Sequence, residues 1–320
     1  MSLDFNLNKA GIIFLAAISS TLLTELVVRY ILGFPTYGVE KKLLGIKSST
    51  ETSNIFYPHS KYYNVEDGYK IYKRNNLGLY GKDVSWNKND TLIYVLGSSY
   101  LEAAQTPPDS MAVTHFQKLI DKSDAPYKVI NLGRSGHDPY DLYFRLTWFE
   151  RQFGFGKVIL VLEDDYLEWL ERHHHPLSSN LKSEFGKVEV NDPLSQIAVT
   201  FLNNSSIAYL LYNAIRRSNF KENEYLKYQE EDVNDLSKDL TTCLNFYKNK
   251  YGRSFYLLSI MDNERINESL IQFSKISRIC YHQKAINIPE YKIEGIGHLN
   301  LKGNEILGKS LYECFQKSLN

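Results

Sequence analysis

With 320 residues and 43% hydrophobic side chains, the chain can bury one large core or two small ones. Lys and Arg together number 37, as do Asp and Glu, so the formal net charge is zero. That balance argues against a chain-wide electrostatic footprint for nucleic acid or for an anionic membrane surface.

Residues 10–24 carry no charge, and apolar character resumes through Leu26-Val-Val and Tyr30-Ile-Leu-Gly-Phe34. Glu25 and Arg29 interrupt the run at i, i+4, where they can pair on one helix face. The span 10–34 is long enough to cross a bilayer with some tilt. A single membrane anchor, a cleaved signal peptide and a buried or interfacial amphipathic helix are all open readings. The expectation is the anchor, a transmembrane helix within residues 1–34, because no small-x-small cleavage site follows the apolar run. Lys9 precedes the span and Lys41, Lys42 and Lys47 follow it, so the positive-inside rule alone would leave the rest of the chain cytoplasmic.

Residues 35–90 are polar and aromatic and read as a linker and a lead-in to a sheet. From residue 91, short apolar runs alternate with helical patterns. Residues 91–97 read as a strand, 112–122 as a helix and 127–133 as a strand. Pro139–Phe153 reads as a helix with its proline in the first turn. Residues 157–162 read as a strand, apolar at every position after Lys157, as in a strand covered on both sheet faces. Val233, Leu236, Leu240, Leu244 and Tyr247 mark one helical stripe, and the charges of 221–239 its solvated face. A strand over 253–260, a helix over 266–276, a short fifth strand over 285–288 and a closing helix over 305–319 complete the pattern. The alternation predicts a three-layer α/β/α sandwich with a mostly parallel five-stranded sheet over residues 91–320. Cys243, Cys280 and Cys314 are too few for a disulfide framework and have no zinc-like spacing, so they are expected as buried thiols. His173-His-His175 reads as a surface turn before Pro176, since three adjacent histidines on a helix point different ways. No cofactor or metal is implied.

Three places could carry chemistry. Ser99 lies just past the abrupt end of a strand at Gly97, where α/β enzymes present a nucleophile. Gly133 and Gly136 follow the second strand, and glycine there lets backbone N–H groups approach a ligand closely and donate to a developing oxyanion. His298 lies in a glycine-rich loop before the last helix, where a neutral imidazole could take a proton from Ser99.

The order of these blocks, over residues 70–320, resembles the SGNH (GDSL-like) hydrolases and their acyltransferase relatives. Gly97-Ser-Ser99-Tyr-Leu-Glu102-Ala-Ala-Gln-Thr-Pro107 is similar to the family's Gly-Asp-Ser-Phe-Thr-Glu block, continued in one bacterial branch as Ala-Leu-Gln-Val-Pro. Asn131-Leu-Gly-Arg-Ser-Gly136 resembles the second block, His298-Leu-Asn-Leu-Lys-Gly303 the last, and Asn76-Leu-Gly-Leu-Tyr-Gly81 the lead-in of membrane-anchored members. The resemblance implies the flavodoxin-like SGNH fold, Ser99 as nucleophile, His298 as base and the Gly136 N–H as an oxyanion donor. It implies an ester hydrolase or O-acyltransferase with an acyl-ester or glycan substrate. It also implies an N-terminal membrane anchor and an extracytoplasmic catalytic domain, against the charge rule above.

The chain departs from the family pattern in three places. Ser98 replaces the Asp of Gly-Asp-Ser. Asp164, in Leu162-Glu-Asp-Asp165, stands where the family has an oxyanion-donating Asn. An ionised carboxylate cannot donate a hydrogen bond and repels a tetrahedral oxyanion. Ile296 and Gly295 occupy the positions of the Asp that orients the histidine, and Glu294 is the nearest carboxylate. A catalytically weak SGNH-fold protein that binds glycan or a protein partner is the alternative reading.

Overall fold

The computed structural model describes residues 7–28, 58–64, 70–123, 126–163, 205, 207, 238–286, 288–293 and 297–317. The chain divides into two compact units, residues 1–44 with 184–220 and residues 45–183 with 221–320. Asp164, Asp165, Val233, Leu236, Glu294 and the 173–175 histidines lie outside the described residues.

The first unit contains α1 (Leu7–Leu26). Thr21 and Thr24 return their hydroxyls to the carbonyls of Ala17 and Ser20 at 2.9 and 2.8 Å, so neither polar group interrupts the helix. Glu25 accepts from Ser205 Oγ at 3.0 Å and from the Ile207 N–H at 3.1 Å. No helix among the described residues is long and apolar enough to cross a membrane, and residues 29–34 of the span read as a transmembrane helix lie outside them. Asn8 and Lys9 at one end and Glu25 at the other confine the uncharged part of α1 to less than a bilayer's thickness.

The second unit opens with a hairpin of β1 (Lys61–Asn64) and β2 (Lys70–Lys73), antiparallel and in register from Lys61↔Lys73 to Asn64↔Lys70. This hairpin falls within the stretch expected as linker and lead-in. The remaining strands, β3 (Thr91–Leu96), β4 (Tyr127–Asn131), β5 (Gly156–Leu162), β6 (Phe255–Ser259) and β7 (Cys280–Gln283), form a separate five-stranded sheet in the order β4-β3-β5-β6-β7. Every pairing in it is parallel. The helices between them are the single turn α2 (Ser99–Glu102), then α3 (Ala112–Asp121), α4 (Pro139–Phe153), α5 (Lys238–Tyr251), α6 (Glu264–Ser277) and α7 (Leu301–Gln316).

The strands are apolar in unbroken runs because alternate residues enter two different cores. Leu92, Tyr94, Leu96, Val158, Leu160 and Leu162 pack against α4, α5 and α6. Ile93, Val95, Ile159, Val161, Tyr256 and Leu258 pack against α3 and α7. Helices thus cover both faces, as the alternation predicts. Within the expected stripe, Leu240, Leu244 and Tyr247 are the buried side of α5.

One strand expectation is corrected. The fifth strand is Cys280–Gln283, upstream of residues 285–288. It is an edge strand whose residues are only half-buried or exposed, so it lacks the continuous apolar run that marks its neighbours. Cys280, Cys243 and Cys314 are all free thiols, the latter two buried and Cys280 half-buried.

The chain reverses winding around β3. From β3 it passes through α3 to the outer strand β4, then α4 carries it over the other face to β5 on β3's far side. The carboxyl ends of β3 and β5 therefore flank a topological switch point, where open α/β sheets hold their ligands.

Candidate active site

Ser99 sits at that switch point. β3 gives way at Gly97, where an added Cβ would stand 3.0 Å from Leu101 Cβ, a tight contact. Ser98 then precedes one helical turn, closed by Glu102 N–H to Ser98 O at 2.9 Å and Ala103 N–H to Ser99 O at 3.0 Å. Ala103 ends it in the left-handed region at φ 49°. Ser99 is half-buried, open enough to meet a ligand.

The turn is tied to the neighbouring strand. The buried carboxylate of Glu163, next after β5, accepts the Ser98 N–H at 3.1 Å and the Ser98 hydroxyl. The turn is thus braced by a carboxylate from across the switch point.

The 133–136 loop after β4 is pressed onto the same turn. Asn131 donates to the Leu101 carbonyl at 3.0 Å and accepts the Gly133 N–H at 2.9 Å, while the Arg134 N–H reaches the Gly97 carbonyl at 2.8 Å. Gly136 follows at φ 72°, a conformation that favours glycine. The loop thus carries Gly136 beside the turn that bears Ser99.

A buried charged cluster backs this loop. Glu102 receives Arg134 Nη1 at 2.6 Å, the Ser135 N–H at 3.0 Å and the Ser135 hydroxyl. Burial alone would raise the Glu102 carboxyl, but Arg134 and Ser135 outweigh it and hold it below its ordinary range. The segment 75–84 contributes here as well: Asn75 accepts the Leu77 and Leu79 N–H groups, both at 2.9 Å, and Leu79 enters the core. The adjacent Tyr80 hydroxyl meets Arg74 at 3.2 Å and also bonds Arg134. Arg145, fully buried on α4, is pushed down to about 9 by burial and by Arg134. His137, next to Gly136, is pushed down to about 3 by burial, Arg145 and Arg134. It stays neutral at working pH and is too weak a base to take the proton of Ser99.

His298 lies next to an antiparallel bridge, Lys292↔Leu299. The Ile293 N–H bonds the His298 carbonyl at 2.7 Å, and Gly297 turns the chain at φ 78°. The imidazole meets the ring of Tyr100 edge-on, centroids 6.4 Å apart at 83°. Asn304, on α7, anchors this side of the site. Its side chain accepts the Ala112 N–H at 3.2 Å and donates to Thr106 Oγ1 at 3.1 Å and the Leu299 carbonyl at 3.2 Å. The structure thus sets the His298 ring against Tyr100, the residue after Ser99, and presses the loop that carries Gly136 onto the same turn. Glu102, Arg134, Glu163 and Asn304 are supporting residues that sequence reasoning did not assign. Among the described residues no group of three or more His, Cys, Asp or Glu could hold a metal ion.

At the start of α4, Asp138 caps the helix by accepting the Tyr140 and Asp141 N–H groups at 2.8 and 2.9 Å. Asp141 is pushed up to about 7, first by burial and then by Asp138. Between the ordinary carboxyl value of 3.8 and about 7 the folded chain holds a proton that the unfolded chain releases, so stability falls as pH rises through that window. Asp141→Asn is expected to raise the melting temperature at pH 8 by about 2–5 °C and to leave it unchanged at pH 4. Thermal melts at the two pH values check this; an equal shift at both removes the titration argument.

No protein family and no curated protein matches the chain by sequence. Solved structures to which it is similar include a psychrotrophic esterase from Pseudoalteromonas sp., at 14% identity and TM-score 0.43, covering 72% of this chain and 100% of that one. A member of the lipolytic G-D-S-L family from Veillonella parvula matches at 11% identity and TM-score 0.38, over 71% of this chain and 99% of that one. An acetyl xylan esterase from Geobacillus stearothermophilus matches at 11% identity and TM-score 0.38, over 73% of this chain and 96% of that one. The likeness is one of fold and transfers no residue roles.

Proposed function

We propose that the chain is an SGNH-type hydrolase that cleaves or transfers acyl esters through a covalent intermediate on Ser99. The edge-on packing of His298 against Tyr100, the residue following Ser99, carries this reading. In it the Ser99 hydroxyl oxygen attacks the acyl carbon while the His298 imidazole takes its proton. The carbonyl oxygen becomes an oxyanion that accepts from the N–H groups of Ser99 and Gly136. Collapse expels the alcohol, which receives the proton from His298. Water, or a sugar hydroxyl in the transferase variant, then releases the acyl group by the same steps in reverse order of roles. Hydrolysis of p-nitrophenyl acetate and of O-acetylated saccharides by the purified chain tests the reading. An inert chain, with intact fold, rejects it.

Asp164 and Glu294 complete the proposal from the sequence: Asp164 takes the place of the oxyanion-donating Asn of the pattern, and Glu294 is the nearest carboxylate before His298 in the chain. The repulsion argument for Asp164 has a direct consequence. Asp164→Asn is expected to raise kcat by about tenfold or more, since one oxyanion donor contributes about 10²–10³ in rate. Steady-state kinetics of the variant check this; an unchanged kcat in a folded protein places residue 164 away from the oxyanion.

The second reading, a cleft retained for binding glycan or protein, is favoured by Ile296 and Gly295 standing in place of the orienting acid. The kinetic experiment separates the two, because a binding protein neither turns over ester nor responds to Asp164→Asn.

A further inference from the structure

We propose that Glu102 is a positioning residue for this reaction: its carboxylate fixes the 133–136 loop, and with it the Gly136 N–H, at the place where the oxyanion forms. The inference rests on the esterase reading and extends it to a side chain that touches no substrate.

The geometry has three parts. Glu102 is the last residue of the turn that begins with Ser99, so nucleophile and carboxylate share one rigid element. The carboxylate is buried, 3% exposed, yet it points at the loop and not at solvent. Both its oxygens are engaged there, one by the Arg134 guanidinium and the other by the backbone and hydroxyl of Ser135. Ser135 itself is exposed, and Gly136 has a backbone with little intrinsic stiffness. Left to itself such a loop samples several conformations, and an oxyanion donor that must first be oriented loses much of its effect. Glu102 removes that freedom. An amide in its place keeps the volume but turns an N–H₂ toward donors on one side, which breaks one of the two links.

Steady-state kinetics on p-nitrophenyl acetate, the rate of fluorophosphonate labelling of Ser99 and thermal melts test this in the full chain. Glu102→Gln is expected to lower kcat by about 10–100-fold, and Ser135→Ala by about 3–10-fold, with KM within about threefold of wild type. Labelling should slow in step with kcat, because the phosphonate builds the same negative charge. The double variant should lose less than the product of the two single losses, since both cut one link. Wild-type kcat in folded Glu102→Gln, or losses that multiply, overturns the proposal and leaves the esterase reading standing. Should Glu102→Gln fail to fold, Ser135→Ala alone decides, and its unchanged kcat overturns the proposal. A wild-type chain that neither hydrolyses nor labels at Ser99 ends both, and is told apart by the silence of the wild type itself.

Discussion

Ser99→Ala is expected to lower ester hydrolysis by at least about 10³-fold and to abolish fluorophosphonate labelling, while the melting temperature stays at the wild-type value. The separation of activity from stability follows from how the turn is held. Its closing bonds run through backbone atoms, from the Glu102 N–H to the Ser98 carbonyl and from the Ala103 N–H to the Ser99 carbonyl. Its tie to β5 runs through Ser98 and Glu163. Its packing comes from Leu101, which is buried in the α3–α7 core. The Ser99 hydroxyl takes part in none of these. Alanine also favours the helical conformation of the turn. Loss of folding in the variant would contradict this account of the turn, and retained labelling would move the nucleophile elsewhere.

Gly133→Ala is expected to cost both fold and function. A Cβ at this position would stand 2.6 Å from the Glu102 nitrogen and 2.8 Å from the Leu101 carbonyl carbon. Both are backbone atoms of a turn braced by Glu163 and Asn131, so they cannot swing aside as the end of a flexible side chain could. The loop must retreat instead. Retreat stretches the Gly133 N–H to Asn131 bond and the Arg134 N–H to Gly97 bond, 2.9 and 2.8 Å in the native chain. It also pulls Ser135 from Glu102. Overpacking at a rigid contact costs about 1–3 kcal/mol, and two weakened buried hydrogen bonds add a comparable amount. Displacement of Gly136 by about an ångström is expected to reduce kcat about 100-fold. Denaturant unfolding and kinetics on the same preparation check both halves. Native stability in the variant would mean that the loop is not pressed on the turn.

These two results depend on different kinds of information in the chain. The sheet is legible because β3, β5 and β6 are buried on both faces, and an unbroken apolar run of that length leaves few other options. The edge strand β7 is not legible in the same way. Cys280-Tyr-His-Gln283 has water on one side and reads like a loop, whereas the more apolar stretch at 285–288 draws the eye and forms no strand. Ser99, Gly136 and His298 stand out as candidates because each follows a strand or precedes a helix at a recognisable break. Glu102 and Glu163 give no such signal. Each matters through a contact between the ends of two neighbouring strands, Glu102 with residues 134 and 135 and Glu163 with residue 98. A carboxylate inside an otherwise apolar block, as in Tyr100-Leu-Glu102-Ala, is the only local hint, and it marks burial without naming the partner. The N-terminal span is a different case: α1 carries polar and charged residues near both ends, and residues 29–34 of the span lie outside the described residues.

The carboxyl group that Glu163 lends to Ser98 also gives the turn a second footing. The turn grows out of β3, yet this brace comes from the chain just past β5, so its position is fixed by two strands at once. A disturbance of β5 alone is therefore transmitted to the turn without passing through the loop after β4.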